Sequence, residues 1–123
     1  MTDTVTFVSP PPGLAPHTEF ELGAVADSAS LFSLSALTDP SVRLYVVNPG
    51  DVVPDYAPVI SGSQADALAL EDPSDAVLFV VARVADDGVG VNLLAPVVVN
   101  SRTGAAAQLI LEGQDFPVRA LLP

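Results

Sequence analysis

Hydrophobic and polar residues alternate along much of this chain. EFEL (19–22) sets Phe20 and Leu22 on one face and Glu19 and Glu21 on the other, and LFSLSAL (31–37) sets Phe32, Leu34 and Ala36 opposite Ser33 and Ser35. A period of two is that of a β-strand with one face in water. VTFV (5–8) alternates more weakly and is halted by Pro10, Pro11 and Pro12. RLYVVN (43–48) follows the turn signal Asp39-Pro40 and ends at Asn48-Pro49-Gly50. AVLFVVARVA (76–85) is apolar almost throughout, which reads as a buried strand, and Asp86-Asp87-Gly88 ends it as a hairpin turn. VGVNLLAPVVVN returns, Ser101-Arg102-Thr103-Gly104 turns again, and AAAQLILEG runs back. Pro96 has no N–H for a ladder bond, so it belongs at a bulge or an edge. The tail DFPVRALLP adds a final edge strand.

One stretch has a helical period instead. SQADALAL (63–70) brings Ala65, Leu68 and Ala69 to one face, with Ser63 as N-cap, Asp66 in the first turn and Pro73 as the stop. Two turns of helix do not stand alone in water, so its apolar face must lie on strands. The sum is an all-β chain, a mainly antiparallel barrel or pseudo-barrel with one short helix capping an end. At this length residues 1–123 read as a single domain.

Composition narrows the chemistry. Half of the residues are hydrophobic, which excludes a disordered chain despite a net charge of −11. Cys is absent, so disulfides, thiol catalysis and cysteine metal sites are excluded, and nothing draws on an oxidising compartment. No signal-peptide pattern precedes the first strand, and the ten apolar residues of 76–85 are too few to span a bilayer. The expected place is the cytoplasm, with no membrane contact. Fifteen Asp and Glu face four Lys and Arg, all of them Arg: Arg43, Arg83, Arg102 and Arg119. Such a surface repels nucleic acid and attracts a basic partner. The same acidity also serves solubility, or reflects a high-salt or high-GC source.

Catalytic patterns are thin. His17 is the single histidine, and as a metal ligand it needs Glu19 and Glu21 beside it. A Ser–His–Asp set lacks its Gly-x-Ser-x-Gly elbow, and GVG (88–90) is a turn rather than a phosphate loop. The acidic pairs Asp86-Asp87 and Glu71-Asp72 sit at a turn and a helix end, without the apolar surroundings that raise a carboxyl pKa. The expectation is no enzyme, no cofactor and no metal. Asn92, Asn100 and Gln108 read as ladder-end and turn hydrogen-bonders of a scaffold hairpin, since most such side chains bond to backbone.

The motifs then fall in a known order. PPPGL (10–14), VRLYVVNPGDVVPDY (42–56), LALEDPSDAVLFVVARV (68–84), VNLLAPVVVNSRTGAAAQLILEG (91–113) and FPVRALL (116–122) together resemble the flagellar assembly factor FliW family. The most specific pieces are Pro54-Asp55-Tyr56, the Asn92-Leu93-x-Ala95-Pro96 run ending in Asn100, and Gln108-Leu109-Ile110-Leu111. Two features depart from the family pattern. The resemblance puts an extra hairpin ahead of the first strand; with that strand at about residue 4, the expectation is that the hairpin is absent and a sheet edge is left open. In the tail, Phe116 and Arg119 fit but Ala120 does not. The resemblance implies a cytoplasmic, non-enzymatic protein that binds flagellin and the carbon storage regulator CsrA, a basic RNA-binding dimer. Partner exchange then relieves repression of flagellin translation. Expected partner contacts are Asp55, Tyr56, Asp86, Asp87, Phe116 and Arg119. The alternative is a β-barrel module for another protein or a carbohydrate that has lost the flagellar partners.

Overall fold

The expected strands form, and they close. In a computed structural model, residues 3–10, 14–25, 31–53, 55–111 and 113–121 are described. Pro54 and residues 11–13, 112 and 122 of the motif stretches lie outside them. The strands are β1 (Asp3–Phe7), β2 (Glu19–Ala24), β3 (Leu31–Ala36), β4 (Arg43–Val47), β5 (Ala76–Ala85), β6 (Gly88–Val91), β7 (Val97–Asn100), β8 (Ala105–Gln108) and β9 (Ala120–Leu121). Their order is β4-β3-β2-β1-β8-β7-β5-β6-β9, and β4 also pairs with β5. Seven strands thus form a ring, and β6 and β9 continue from β5 as a flap. All pairings are antiparallel except β1 with β8. That parallel seam corrects the open edge expected at the first strand: β8 occupies it.

The alternation is honoured at the ring's wet wall. Phe20, Leu34 and Ala36 point inward with Val5, Phe7, Val46, Phe79, Val97, Val99 and Ala106, while Glu19 and Glu21 are exposed. Two edge-to-face aromatic pairs, Phe7–Phe20 and Phe32–Phe79, cross this interior with centroids 5.5 Å apart.

The long apolar run of β5 has a different cause. Its inward residue Phe79 joins the barrel core, but its outward residues are covered as well. Val80 and Ala82 lie in one outer cluster with Val47, Val91 and Leu93; Ala76 and Leu78 pack on another with Leu68, Val98, Ala107 and Leu109. The belt of residues 48–75 lies on this side of the barrel, so β7 and the middle of β5 are covered on both faces and lose the alternating pattern.

That belt holds two short α-helices and one turn of 3-10 helix, Pro73–Asp75. α1 (Pro49–Val52) was not legible as a helix: Asn48 caps it by accepting from the Gly50 N–H, and Pro49 takes the first position. α2 (Gly62–Ala67) starts at Ser61 rather than the expected Ser63. The Ser61 hydroxyl accepts from the Gln64 N–H, and the Gln64 side chain accepts from the Ser61 N–H, a reciprocal capping box. No acid lies in its first turn, so Asp66 does not play the part expected of it. The short helix with a strand-covered apolar end is as expected, but its place differs. Leu68, at its C-terminus, is buried on Val98, Ala107 and Leu109, on the outer face of β7 and β8. The barrel interior is already filled by phenylalanines, so the free apolar surface is on the outside wall.

The turns use glycine where the sequence placed it. Gly88 (φ 125°) closes the β5–β6 hairpin, and Gly104 (φ 82°) ends the 101–104 turn.

Candidate functional site

The β6–β7 connection organises the surface that carries most of the expected contacts. Residues 92–96 stand opposite only residues 80–81 of β5, so the returning strand bulges. Asn92 holds the bulge: its side-chain oxygen accepts from the Leu94 and Ala95 N–H groups, both at 3.1 Å. Each carbonyl that follows finds a donor. Leu93 accepts from the Tyr56 hydroxyl at 2.6 Å, Ala95 from the Gln108 amide at 3.0 Å, and Leu94 and Pro96 from the N–H groups of Leu111 and Leu109 at 2.9 Å. Pro96 is fully buried, at the bulge where its missing N–H does no harm. Asn100 is also fully buried and donates to Leu68 O at 2.9 Å and Ala69 O at 3.3 Å, while its oxygen accepts from the Arg102 and Thr103 N–H groups. Asn92, Asn100 and Gln108 are therefore scaffold residues, as their sequence context indicated.

Four of the six expected contact residues meet on the flap. α1 and the turn after it, in which Tyr56 N–H donates to Val53 O at 3.0 Å, deliver Tyr56 to the outer cluster over β5 and β6. There its ring stands edge-to-face against Phe116, centroids 5.0 Å apart. Phe116 is brought in by the C-terminal segment, which Gln114 fastens. The Gln114 side chain accepts from Val59 N–H and donates to Val59 O, both at 2.9 Å. Leu93 N–H donates to Pro117 O at 3.1 Å, and β9 then pairs with β6. Arg119 donates to the Asp87 carboxylate of the β5–β6 turn. Its side chain lies across Gly90, where an added Cβ would stand 3.0 Å from the arginine Cγ. Asp86 is exposed in the same β5–β6 turn as Asp87, and Asp55 is exposed in the turn before Tyr56.

Val118 and Leu121, on the same tail, stay 65% and 51% exposed. Among the described residues β9 pairs on one side only, with β6. The result is an open strand edge beside an aromatic pair and an ion pair.

Electrostatics suits holding rather than proton transfer. The Arg119 hydrogen bond keeps the Asp87 carboxyl below the ordinary carboxylate range. Burial pushes the Tyr56 phenol up to about 12. Near neutral pH one is fixed as an anion and the other as a neutral donor, so neither is poised as a general acid or base. His17 lies near Thr38, its Nδ1 3.4 Å from the hydroxyl, and no group of three or more His, Cys, Asp or Glu side chains gathers for a metal among the described residues. No helix among them is long and apolar enough to cross a membrane.

Sequence reasoning missed two side-chain clamps, Gln114 on Val59 and Gln64 on Ile110 O (3.2 Å). The first joins positions too far apart to be legible. The second had a signal, the Ser61-x-x-Gln64 capping box.

Comparison with known proteins bears on the same features. A flagellar assembly factor FliW of Moorella thermoacetica is 30% identical over 104 residues, covering 82% of this chain and 66% of its own length. One from Ruminiclostridium cellulolyticum is 36% identical over 96 residues, with 76% and 65% covered. One from a Thermotoga species is 30% identical over 120 residues, with 95% and 80% covered. The chain thus spans just under two-thirds of the length of the first two. A crystal structure of a flagellar assembly factor FliW superposes with a TM-score of 0.89 at 24% identity over 97% of this chain and 84% of that one, a likeness of fold. The family model described as FliW protein matches residues 1–122, so the bulge, the two-faced β5 and the closing tail all lie within one continuous match, and the chain belongs to the FliW family.

Proposed function

We propose that this chain acts in flagellar assembly as a cytoplasmic, non-enzymatic binding protein. In this reading it holds flagellin and a CsrA-type RNA-binding regulator in exchange for one another. Export of flagellin frees it to sequester the regulator, and flagellin translation resumes. The observation that carries the reading is the FliW match over residues 1–122. Supporting it is a net charge of −11 with no lysine, which favours a basic protein partner and disfavours direct contact with nucleic acid.

The flap is the surface proposed for contact. Tyr56 and Phe116 supply an aromatic anchor, Asp87 and Arg119 an ion pair at its rim, Asp55 and Asp86 further negative charge, and β9 an edge that accepts a strand. Calorimetry with flagellin and the regulator of the same organism tests the reading. Binding to both is expected, with affinity for the regulator falling as salt rises because charge contributes to it. No binding to either at low salt sinks the reading and leaves a barrel that serves another protein or a carbohydrate.

A further inference from the structure

We infer that the groove between α2 and the start of β5 is a second docking site, for a partner segment carrying an aliphatic side chain flanked by lysine or arginine. The inference rests on the reading of this chain as a protein binder. It concerns a different cluster from the one that holds Tyr56 and Phe116.

The groove is a depression of ≈ 350 Å³ with Ile60, Ala65, Leu70 and Ala76 among its walls and Glu71 and Asp72 at its rim. Its shape follows from side-chain size. Leu68 turns inward and is consumed by Val98, Ala107 and Leu109, while Ile60, Leu70 and Ala76 only flank that cluster. Two of the walls are alanines, so nothing fills the space between them.

Charge selects the occupant. The Glu71 side chain is 78% exposed and lies 3.5 Å from Arg102, an exposed pair of little strength. Arg102, itself half-exposed, divides its guanidinium between Glu71, the Ala69 carbonyl at 3.0 Å and Asp75 at 3.6 Å, so it offsets only part of the negative charge at this rim. The Asp72 carboxylate accepts from Ser74 N–H and hydroxyl, and these bonds keep it ionised. An apolar slot with two carboxylates at its mouth, on a chain of net charge −11, admits a basic–aliphatic segment and rejects an acidic one.

The test is the amide NMR spectrum of the full chain, titrated with a short peptide of alternating leucine and lysine and separately with its leucine–glutamate counterpart. The lysine peptide is expected to shift the amides of Ile60, Leu70 and Ala76, and the glutamate peptide to leave them unmoved. Glu71→Lys, a change at an exposed side chain, is expected to weaken the lysine peptide by about tenfold. Ala65→Leu, which fills the slot, is expected to do the same; should it fail to fold, Glu71→Lys still decides. Equal response to both peptides, shifts confined to the neighbourhood of Tyr56 and Phe116, or indifference to Glu71→Lys overturns the site. If flagellin and the regulator bind the parent chain while the peptides miss the groove, only this site is lost. If the lysine peptide binds the groove and neither protein binds, the functional reading is lost and the site remains.

Discussion

The hydroxyl of Tyr56 donates to the carbonyl of Leu93 across 37 positions of sequence, at 2.6 Å. This bond joins the belt that follows α1 to the bulge between β6 and β7, beneath the ring of Phe116. Tyr56→Phe keeps the ring pair but leaves the Leu93 carbonyl without its donor. The expected cost is about 1–2 kcal/mol, read as a shift in the urea unfolding midpoint. Tyr56→Ala also removes the ring and is expected to cost about 3 kcal/mol or more.

The same phenol gives a pH prediction. Burial raises its folded pKa from 10.0 to about 12. An acid whose folded pKa is raised contributes stability that is fully present below the unfolded value and lost as pH climbs through the folded one. Stability is therefore expected to fall between pH 10 and about 12. In a Tyr45→Phe background, phenolate absorbance should appear near pH 12 in the native protein and near 10 in urea. A native midpoint near 10 would contradict the buried placement.

Asp87 behaves in the opposite sense. Its hydrogen bond from Arg119 lowers the carboxyl below the ordinary 3.8. The stability it contributes is present above the unfolded pKa and disappears as pH falls through the folded one. Both groups are well exposed, so Asp87→Asn is expected to move the neutral-pH unfolding midpoint only slightly, and the gap to the parent should close below pH 3.8. Scans of melting temperature against pH on the two proteins check this. If the pair also serves a partner, Arg119→Glu should weaken partner binding far more than it lowers stability.

Asn100 is the single buried polar side chain among the described residues, and it ties α2 to the 101–104 turn. Asn100→Ala strands the Leu68 carbonyl and the Arg102 N–H, while Thr103 N–H keeps the Asn100 backbone carbonyl. A cost of about 2–4 kcal/mol is expected, with the amides of α2 losing hydrogen-exchange protection before those of β2 and β3. Equal loss everywhere would show that α2 unfolds only with the whole barrel.

Gly104 sits at the parallel seam that closes the ring. Its φ is +82°, and an added Cβ would stand 3.1 Å from the Thr4 carbonyl oxygen. Gly104→Ala is expected to cost about 1–3 kcal/mol by thermal or urea unfolding. Gly62→Ala, with nothing within 4 Å of the new atom, is the control and should leave stability level or slightly higher.

The residues proposed for partner contact were named from the sequence, but the way they assemble was not legible. Tyr56, Phe116, Asp87 and Arg119 were each marked as contacts, yet no sequence pattern paired the tyrosine with the phenylalanine or the arginine with a turn aspartate 32 residues earlier. Such pairs depend on where the tail lands, and that is decided by β9 joining β6 and by Gln114 clasping Val59. Asp55 and Asp86 are exposed beside Tyr56 and Asp87 in the chain.

By itself the sequence determined the local geometry. The period of two in 19–22 and 31–37 placed Phe20, Leu34 and Ala36 inward; glycines at 88 and 104 set the turns; Pro96 marked the bulge; and Asn92, Asn100 and Gln108 were backbone ligands. Tertiary structure alone decided the parallel β1–β8 seam, the covering of the middle of β5 on both faces and the seat of α2 on the outer wall. The physical reason is that periodicity records which side of a segment avoids water. It does not record which distant segment, competing for the same apolar surface, will cover that side.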